Sequence, residues 1–201
     1  LLLMLLCFSS VLVKAQEEDL IHRYRFDGDL VDEIDDSNGY VAEISPGTLA
    51  FMEGYDGTPD GAINFDVTGG NAYMICVGRW SAAQEGVPDE LTVTFWAYWH
   101  GSTNSWQDLI NKRDDYDDDM LWGINQHSAT GDVLSVHRRD VEANSSQGIP
   151  QQEWTHVAVA MDGTNAYFYM NGEKYDEQPY TYGTGYDARI HMGCAVFSEY
   201  A

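Results

Sequence analysis

The sequence predicts an all-β protein, an antiparallel β-sandwich or barrel, on three observations. Apolar residues recur with a period of two rather than 3.6, as they do along a pleated strand. Turn dipeptides punctuate the chain at short intervals: Asp27-Gly28, Asn38-Gly39, Asp56-Gly57, Asp60-Gly61, Gly69-Gly70 and Asp162-Gly163. No stretch with helical spacing exceeds about two turns, which argues against alternating βαβ units.

Taken in chain order, short strand candidates lie at 20–26, 40–44, 61–66 and 72–77. The first long strand begins at Leu91. Leu91, Val93, Phe95 and Ala97 alternate with Thr92, Thr94, Trp96 and Tyr98, so both faces are used. Candidates at 107–112, 120–125 and 132–138 follow. Val157, Val159 and Met161 then alternate with His156, Ala158 and Ala160. Tyr167 to Met170, Asn171-Gly172, and Glu173 to Tyr175 form a hairpin signal. Asn and Gly tolerate the positive φ angles of the two-residue turn that joins twisted antiparallel strands. A last candidate lies at 188–192. These make about eleven strands. No Pro- or Ser-rich linker divides them, so one domain is expected.

Residues 1–15 read as a secretory signal peptide clipped at its start, and 16–201 as the mature domain, secreted into the extracellular space. Leu1 to Val13 are apolar apart from two serines, whereas a membrane-spanning helix needs about 20 such residues. Val13 and Ala15 place small side chains at the −3 and −1 positions before Gln16. A buried N-terminal helix or strand is the alternative. Loss of Cys7 with the leader leaves Cys76 and Cys194, an even pair that an oxidising compartment allows to join as a disulfide. Asn144-Ser145-Ser146 is the only N-x-S/T sequon, expected in a surface loop.

Charge narrows the partners. The chain carries 33 Asp plus Glu against 10 Lys plus Arg, a formal charge of −23. Phosphate binding wants a basic face, so nucleic acid is excluded as a partner and an anionic membrane is disfavoured. The acids gather at 17–19, 27–36 and 114–119. With 6 Trp and 13 Tyr, the chain nevertheless has the large apolar groups of a folded domain.

The segments at 35–39, 61–66, 91–97, 108–112, 154–158 and 169–172, taken in order, resemble the laminin-G-like, concanavalin A-like lectin/glucanase family. Asp35-Asp36-Ser37-Asn38-Gly39 is similar to its D-x-S-G-N-G turn, and Gly61-Ala62-Ile63-Asn64-Phe65-Asp66 to its G-x-A-hydrophobic-x-F-D/N strand. Leu91-Thr92-Val93-Thr94-Phe95-Trp96-Ala97 resembles T-V-S-F-W, and Asp108-Leu109-Ile110-Asn111-Lys112 resembles L-I-S-K. Trp154-Thr155-His156-Val157-Ala158 is similar to W-T-H-V-A, and Tyr169-Met170-Asn171-Gly172 to Y-V-N-G. The resemblance covers roughly residues 20–195 and implies a jelly-roll β-sandwich. The family usually finishes with a G-x-I-D-E-V-x-I-Y strand, which nothing here matches. The domain is therefore expected to lack its final strand, and with it an Asp that often helps hold a structural calcium.

Three groups of residues are candidates for chemistry. Glu33-Ile34-Asp35 begins like the E-x-D-x-x-E strand of laminarinase-type glucanases, whose alternation puts three acids on one face. The last Glu is replaced by Asn38, and no G-x-S-x-G, H-E-x-x-H or P-loop is present, so no enzyme is expected. Asp114, Asp115 and Asp117, with Asp118 and Asp119, supply the hard oxygens calcium prefers, as do Asp27, Asp35 and Asp36. Met120 and Gln126 rule out an EF-hand, and a solvated acidic loop is the competing reading. Finally, Trp96, Tyr98, His156 and Tyr169 share the parity opposite the core, and Trp106 and Trp122 extend the aromatic set. Tyr180, Tyr182 and Tyr186 extend it further. Flat rings beside polar acceptors suit the apolar faces and hydroxyl rims of sugars, although most Trp in a sandwich are packing residues.

The expected function is a secreted, non-catalytic carbohydrate- or glycoconjugate-binding module supported by calcium. A structural extracellular adhesion module binding protein is the alternative, and a glycoside hydrolase the third reading. The sequence sets no oligomeric state.

Overall fold

The computed structural model describes residues 20–34, 38–42, 47–65, 70, 74–77, 90–101, 106–113, 120–127, 132–138, 140–181 and 188–193. Among them are no helix and thirteen strands. These are β1 (Gly39–Val41), β2 (Phe51–Met52), β3 (Ala62–Ile63), β4 (Ile75–Val77), β5 (Leu91–Tyr98), β6 (Trp106–Arg113), β7 (Met120–His127), β8 (Val133–Arg138), β9 (Val141–Asn144), β10 (Trp154–Met161), β11 (Asn165–Met170), β12 (Glu173–Pro179) and β13 (Ile190–Met192). One sheet has seven strands in the order β1-β4-β13-β6-β7-β8-β9, a second has four in the order β12-β11-β10-β5, and β2 pairs with β3. Neighbouring strands pair antiparallel throughout. The expected sandwich is what forms.

Alternation builds its core. β10 runs in register with all eight residues of β5, from Trp154 opposite Tyr98 to Met161 opposite Leu91. Leu91, Val93, Phe95 and Ala97 therefore point the same way as Val157, Val159 and Met161, and all pack into one cluster with Ala166 and Phe168 of β11. The seven-stranded sheet closes the other side with Ile110, Ile124, Val136 and Ala143, a single cross-strand row. Each Val, Leu, Ile, Phe or Met side chain among them, removed from water, contributes about 1.5–3 kcal/mol before the entropy of ordering is charged against it.

The Asn171-Gly172 hairpin forms as expected, with φ of 50° and 84°. Elsewhere the strand candidates shift. Residues 20–26 form no strand, only an isolated bridge between Tyr24 and Asp32. Asp32 accounts for this: its Oδ1 accepts the backbone N–H groups of Arg23 and Ile34, both at 3.0 Å, and its Oδ2 meets His22. A side chain here takes the place of a strand ladder. β2 and β9 were not expected. β9 holds only Val141 and Ala143 on its apolar side, too short a pattern to read by periodicity.

The signal-peptide segment, Cys194 and the segment where a final strand would lie fall outside the described residues.

Candidate functional site

The four-stranded sheet has an outer face, and alternation decides what it carries. With odd-numbered residues of β5 inward, Thr92, Thr94, Trp96 and Tyr98 face out. On β10 the buried set is Thr155, Val157, Val159 and Met161, which leaves Trp154 and His156 outward. Register then places His156 beside Trp96 and Trp154 beside Tyr98. The Trp96 and His156 rings are 5.2 Å apart and tilted by 58°. Tyr98 and Trp154 meet edge to face at 5.6 Å, and His100 lies 5.1 Å beyond Tyr98. Neighbouring rows of rings thus occupy one end of the sheet.

A residue from outside the sheet completes this set. Tyr55, in the turn between β2 and β3, stacks on Trp96 with centroids 4.1 Å apart and planes 3° from parallel. Its turn is held by Gly54 N–H to the Thr58 carbonyl at 3.0 Å and Gly57 N–H to the Gly54 carbonyl at 3.1 Å. Asp56 Oδ1 accepts the Thr58 N–H at 2.9 Å, and Thr58 keeps that carboxyl below the ordinary carboxylate range. A side chain at Gly54 would reach within 2.8 Å of the Gly61 carbonyl, so the close approach of the two turn arms needs glycine there. Tyr55 was missing from the sequence reading because its contact crosses between elements, which periodicity does not register.

Further along the same face, Tyr167 and Tyr169 point outward from β11. Tyr167 donates its hydroxyl to Asp162 Oδ2 at 2.7 Å. Lys174 holds its ammonium 4.9 Å above the Tyr167 ring and 2.7 Å from Glu177 Oε2.

Trp96, Tyr98, His156 and Tyr169 are therefore gathered on one face, as expected. Trp122 is not: only 3% exposed, it packs in the core with Ile124 and belongs to no surface site. Its parity on β7 is that of Ile124, the inward one. Tyr180 is likewise buried, its hydroxyl directed at the Leu121 carbonyl. Trp106 opens β6 in the other sheet. Tyr182 and Tyr186 lie outside the described residues.

The acidic candidates fare differently. Asp35, Asp36, Asp114, Asp115 and Asp117 lie outside the described residues, and Asp27 is exposed. Among the described residues no three His, Cys, Asp or Glu side chains come together to hold a metal. Glu33 is bound by Arg23 at 2.6 Å and Arg25 at 2.7 Å, and Asn38 Oδ1 accepts the Asp32 N–H at 2.8 Å. Glu33 and Asn38, the described ends of the glucanase-like segment, are thus both engaged within the fold. Cys76 is buried on β4, opposite His191 of β13. Asn144 ends β9 and accepts from Ser135 Oγ at 2.9 Å, so the sequon starts in a strand rather than in the expected loop.

The outer side of the seven-stranded sheet is polar, and the sequence reading overlooked it. One row runs Asp108, Asn125, Ser135, Asn144, and the next runs Asn111, Gly123, His137, Glu142. His137 Nε2 meets Asp108 Oδ1 at 3.3 Å. The Ser135 hydroxyl has two acceptors in reach, Asn144 Oδ1 and, at 3.2 Å, Glu142 Oε1. Asn125 is 0% exposed, and among the described residues neither atom of its side-chain amide has a hydrogen-bond partner. On β8 and β9 the signal was present in the alternation, Ser135 with His137 and Glu142 with Asn144, whereas on β6 an irregularity between Asp108 and Ile110 puts Asp108 and Asn111 on opposite parities.

Residues 68–196 match the sequence pattern of a family described as the concanavalin A-like lectin/glucanases superfamily. No curated protein sequence matches the chain. Among solved structures, it is similar to domain 4 of AbnA, a GH43 extracellular arabinanase from Geobacillus stearothermophilus, solved in complex with arabinotriose. That likeness has a TM-score of 0.61 at 20% identity and covers 86% of this chain and 82% of that one. It is also similar to the binding domain of botulinum neurotoxin serotype D/C, with a TM-score of 0.53 at 14% identity, over 84% of this chain and 41% of that one. Likeness at such identities establishes the fold.

Proposed function

The chain belongs to the concanavalin A-like lectin/glucanases superfamily, and on that premise we propose that it is a secreted, non-catalytic carbohydrate-binding module. The observation that carries this reading is the exposed stack of Tyr55 on Trp96, flanked by His156, Tyr98 and Trp154. Sugars present apolar C–H faces that lie on flat rings, and hydroxyl rims that need acceptors and donors. Asp56 and His156 supply these beside the rings. Exposed aromatic surface of this kind marks an interaction site more often than a packing accident. The arabinotriose bound by the similar arabinanase domain supports the ligand class.

The non-catalytic part rests on the carboxylates. A glycosidase needs two carboxyl groups roughly 5–9.5 Å apart. On the polar sheet, the carboxylates of Asp108 on β6 and Glu142 on β9 both turn to β8, the first to His137 at 3.3 Å and the second to Ser135 at 3.2 Å. Each is thus already engaged. Calcium support forms part of the proposal through the carboxylates of 114–119.

A glycan array on the intact protein, with and without a calcium chelator, tests the reading. Binding that is lost in Trp96→Ala is the expected result. A wild-type protein that binds no glycan in calcium overturns it in favour of a protein-binding adhesion module. Binding unchanged by the chelator removes calcium.

A further inference from the structure

We infer that the aromatic face takes a glycan free of carboxylate and sulfate groups. This rests on the glycan-binding reading and narrows its ligand. Recognition of an anionic sugar requires cations able to leave their present partners, most often Arg, whose planar fork matches carboxylate and sulfate oxygens. The described basic side chains are all committed. Arg23 and Arg25 both hold Glu33, at 2.6 and 2.7 Å. Lys112 and Arg113 are buried. Arg138 donates to the carbonyl and hydroxyl of Thr181, at 2.8 and 3.2 Å. Arg189 is engaged as well.

Lys174 is the one described cation on the aromatic sheet's outer face, and it is held over Tyr167 by Glu177. Exposed carboxylates neighbour the rings in sequence or register instead. Glu53 and Asp56 flank Tyr55, Glu153 precedes Trp154, and Glu177 lies opposite Tyr167 in register. Behind them stands a net charge of −23. An anionic polymer approaching this face meets repulsion over a Debye length, about 10 Å at 0.1 M salt, with no uncommitted cation among the described residues to compensate. A neutral sugar meets rings and acceptors at no such cost.

Titration calorimetry of the intact protein tests this, with arabinotriose and cellohexaose as neutral probes and heparin and polygalacturonate as anionic ones, at about 0.02 and 0.5 M NaCl. Neutral binding is expected to change less than about 2-fold with salt, and anionic binding to be at least about 10-fold weaker at low salt. The double variant Glu53→Lys/Glu153→Lys, at two exposed positions, should then gain salt-sensitive binding to heparin. Wild-type affinity for heparin or polygalacturonate equal to or above that for the neutral sugars overturns the inference while sparing the glycan reading. Absence of binding to every probe, with the array also blank, overturns the glycan reading and this inference with it.

Discussion

The phenol ring of Tyr55 lies flat against the indole of Trp96, 4.1 Å between centroids and 3° from parallel. Both rings are exposed, at 51% and 41%. One indole face is covered by Tyr55, and His156 tilts against the same indole at 5.2 Å. The flat surface presented to solvent is consequently Tyr55's own outer face. Trp96 backs it, and the short turn anchored by Gly54, Gly57 and Thr58 keeps it in place. A platform ordered in advance spares a ligand the cost of ordering it.

Tyr55→Ala should accordingly weaken binding of a neutral oligosaccharide by about 10-fold or more, while lowering stability by only the ~0.5–1.5 kcal/mol typical of an aromatic pair. Tyr55→Phe keeps the ring and should retain most affinity. Calorimetry and thermal melts on the same samples separate the two effects. Wild-type affinity in Tyr55→Ala would assign the contact elsewhere.

A second expectation contrasts neighbours on β11. Phe168 is fully buried and Tyr169 faces out. Phe168→Ala should cost about 3–5 kcal/mol, through lost transfer energy and the cavity left behind. Tyr169→Ala should cost about 1 kcal/mol or less. Urea denaturation with unchanged m-values measures both. Equal costs would mean the strand register is wrong.

Those contrasts also show what was legible beforehand. The parity of Trp96 against Phe95, and of His156 against Val157, followed from period-two alternation alone, because a strand has only two faces. The Asn171-Gly172 turn was legible because few residue pairs accept two positive φ angles. Alternation cannot say which outward ring is capped by a distant turn, so Tyr55 was missed. Nor does it distinguish an inward Trp from an outward one on a strand whose faces are both buried. On β7, Leu121 through Gln126 are all buried, and Trp122 was misplaced there. The polar row through Asn125 and Ser135 becomes a cluster only once β6, β7, β8 and β9 are in register, a non-local fact.

On the polar sheet, Ser135→Ala removes a buried hydroxyl with two acceptors, Asn144 and Glu142. One hydroxyl proton serves one acceptor at a time, so one net hydrogen bond is lost and a half-buried acceptor is left wanting. The expected cost is about 1–3 kcal/mol. Denaturant titration would show it, and an unchanged midpoint would mean that water takes over the hydroxyl's role.

The turn between β10 and β11 predicts how stability responds to acid. Asp162 Oδ1 accepts from Thr164 N–H at 2.8 Å, Thr164 hydroxyl at 2.7 Å and Asn165 N–H at 2.7 Å, while Oδ2 accepts from Tyr167. Chiefly the Tyr167 hydroxyl, and then Thr164, hold the carboxyl far below its ordinary value of 3.8. The same contact pushes the Tyr167 hydroxyl up. A carboxyl depressed in the folded state binds fewer protons there than in the unfolded chain near its ordinary pKa. Its contribution is therefore present in full above about pH 5, and is lost as pH falls through 3.8 toward the folded value. Asp162→Asn removes the charge and the acceptor for Tyr167. Relative to wild type, its melting temperature should be lower at pH 7, and the gap should close progressively below about pH 4. Melts of both proteins from pH 7 to pH 2 check the sign. A gap that is constant across this range, or widens in acid, would mean that the carboxylate is solvated and the turn is held by its backbone alone.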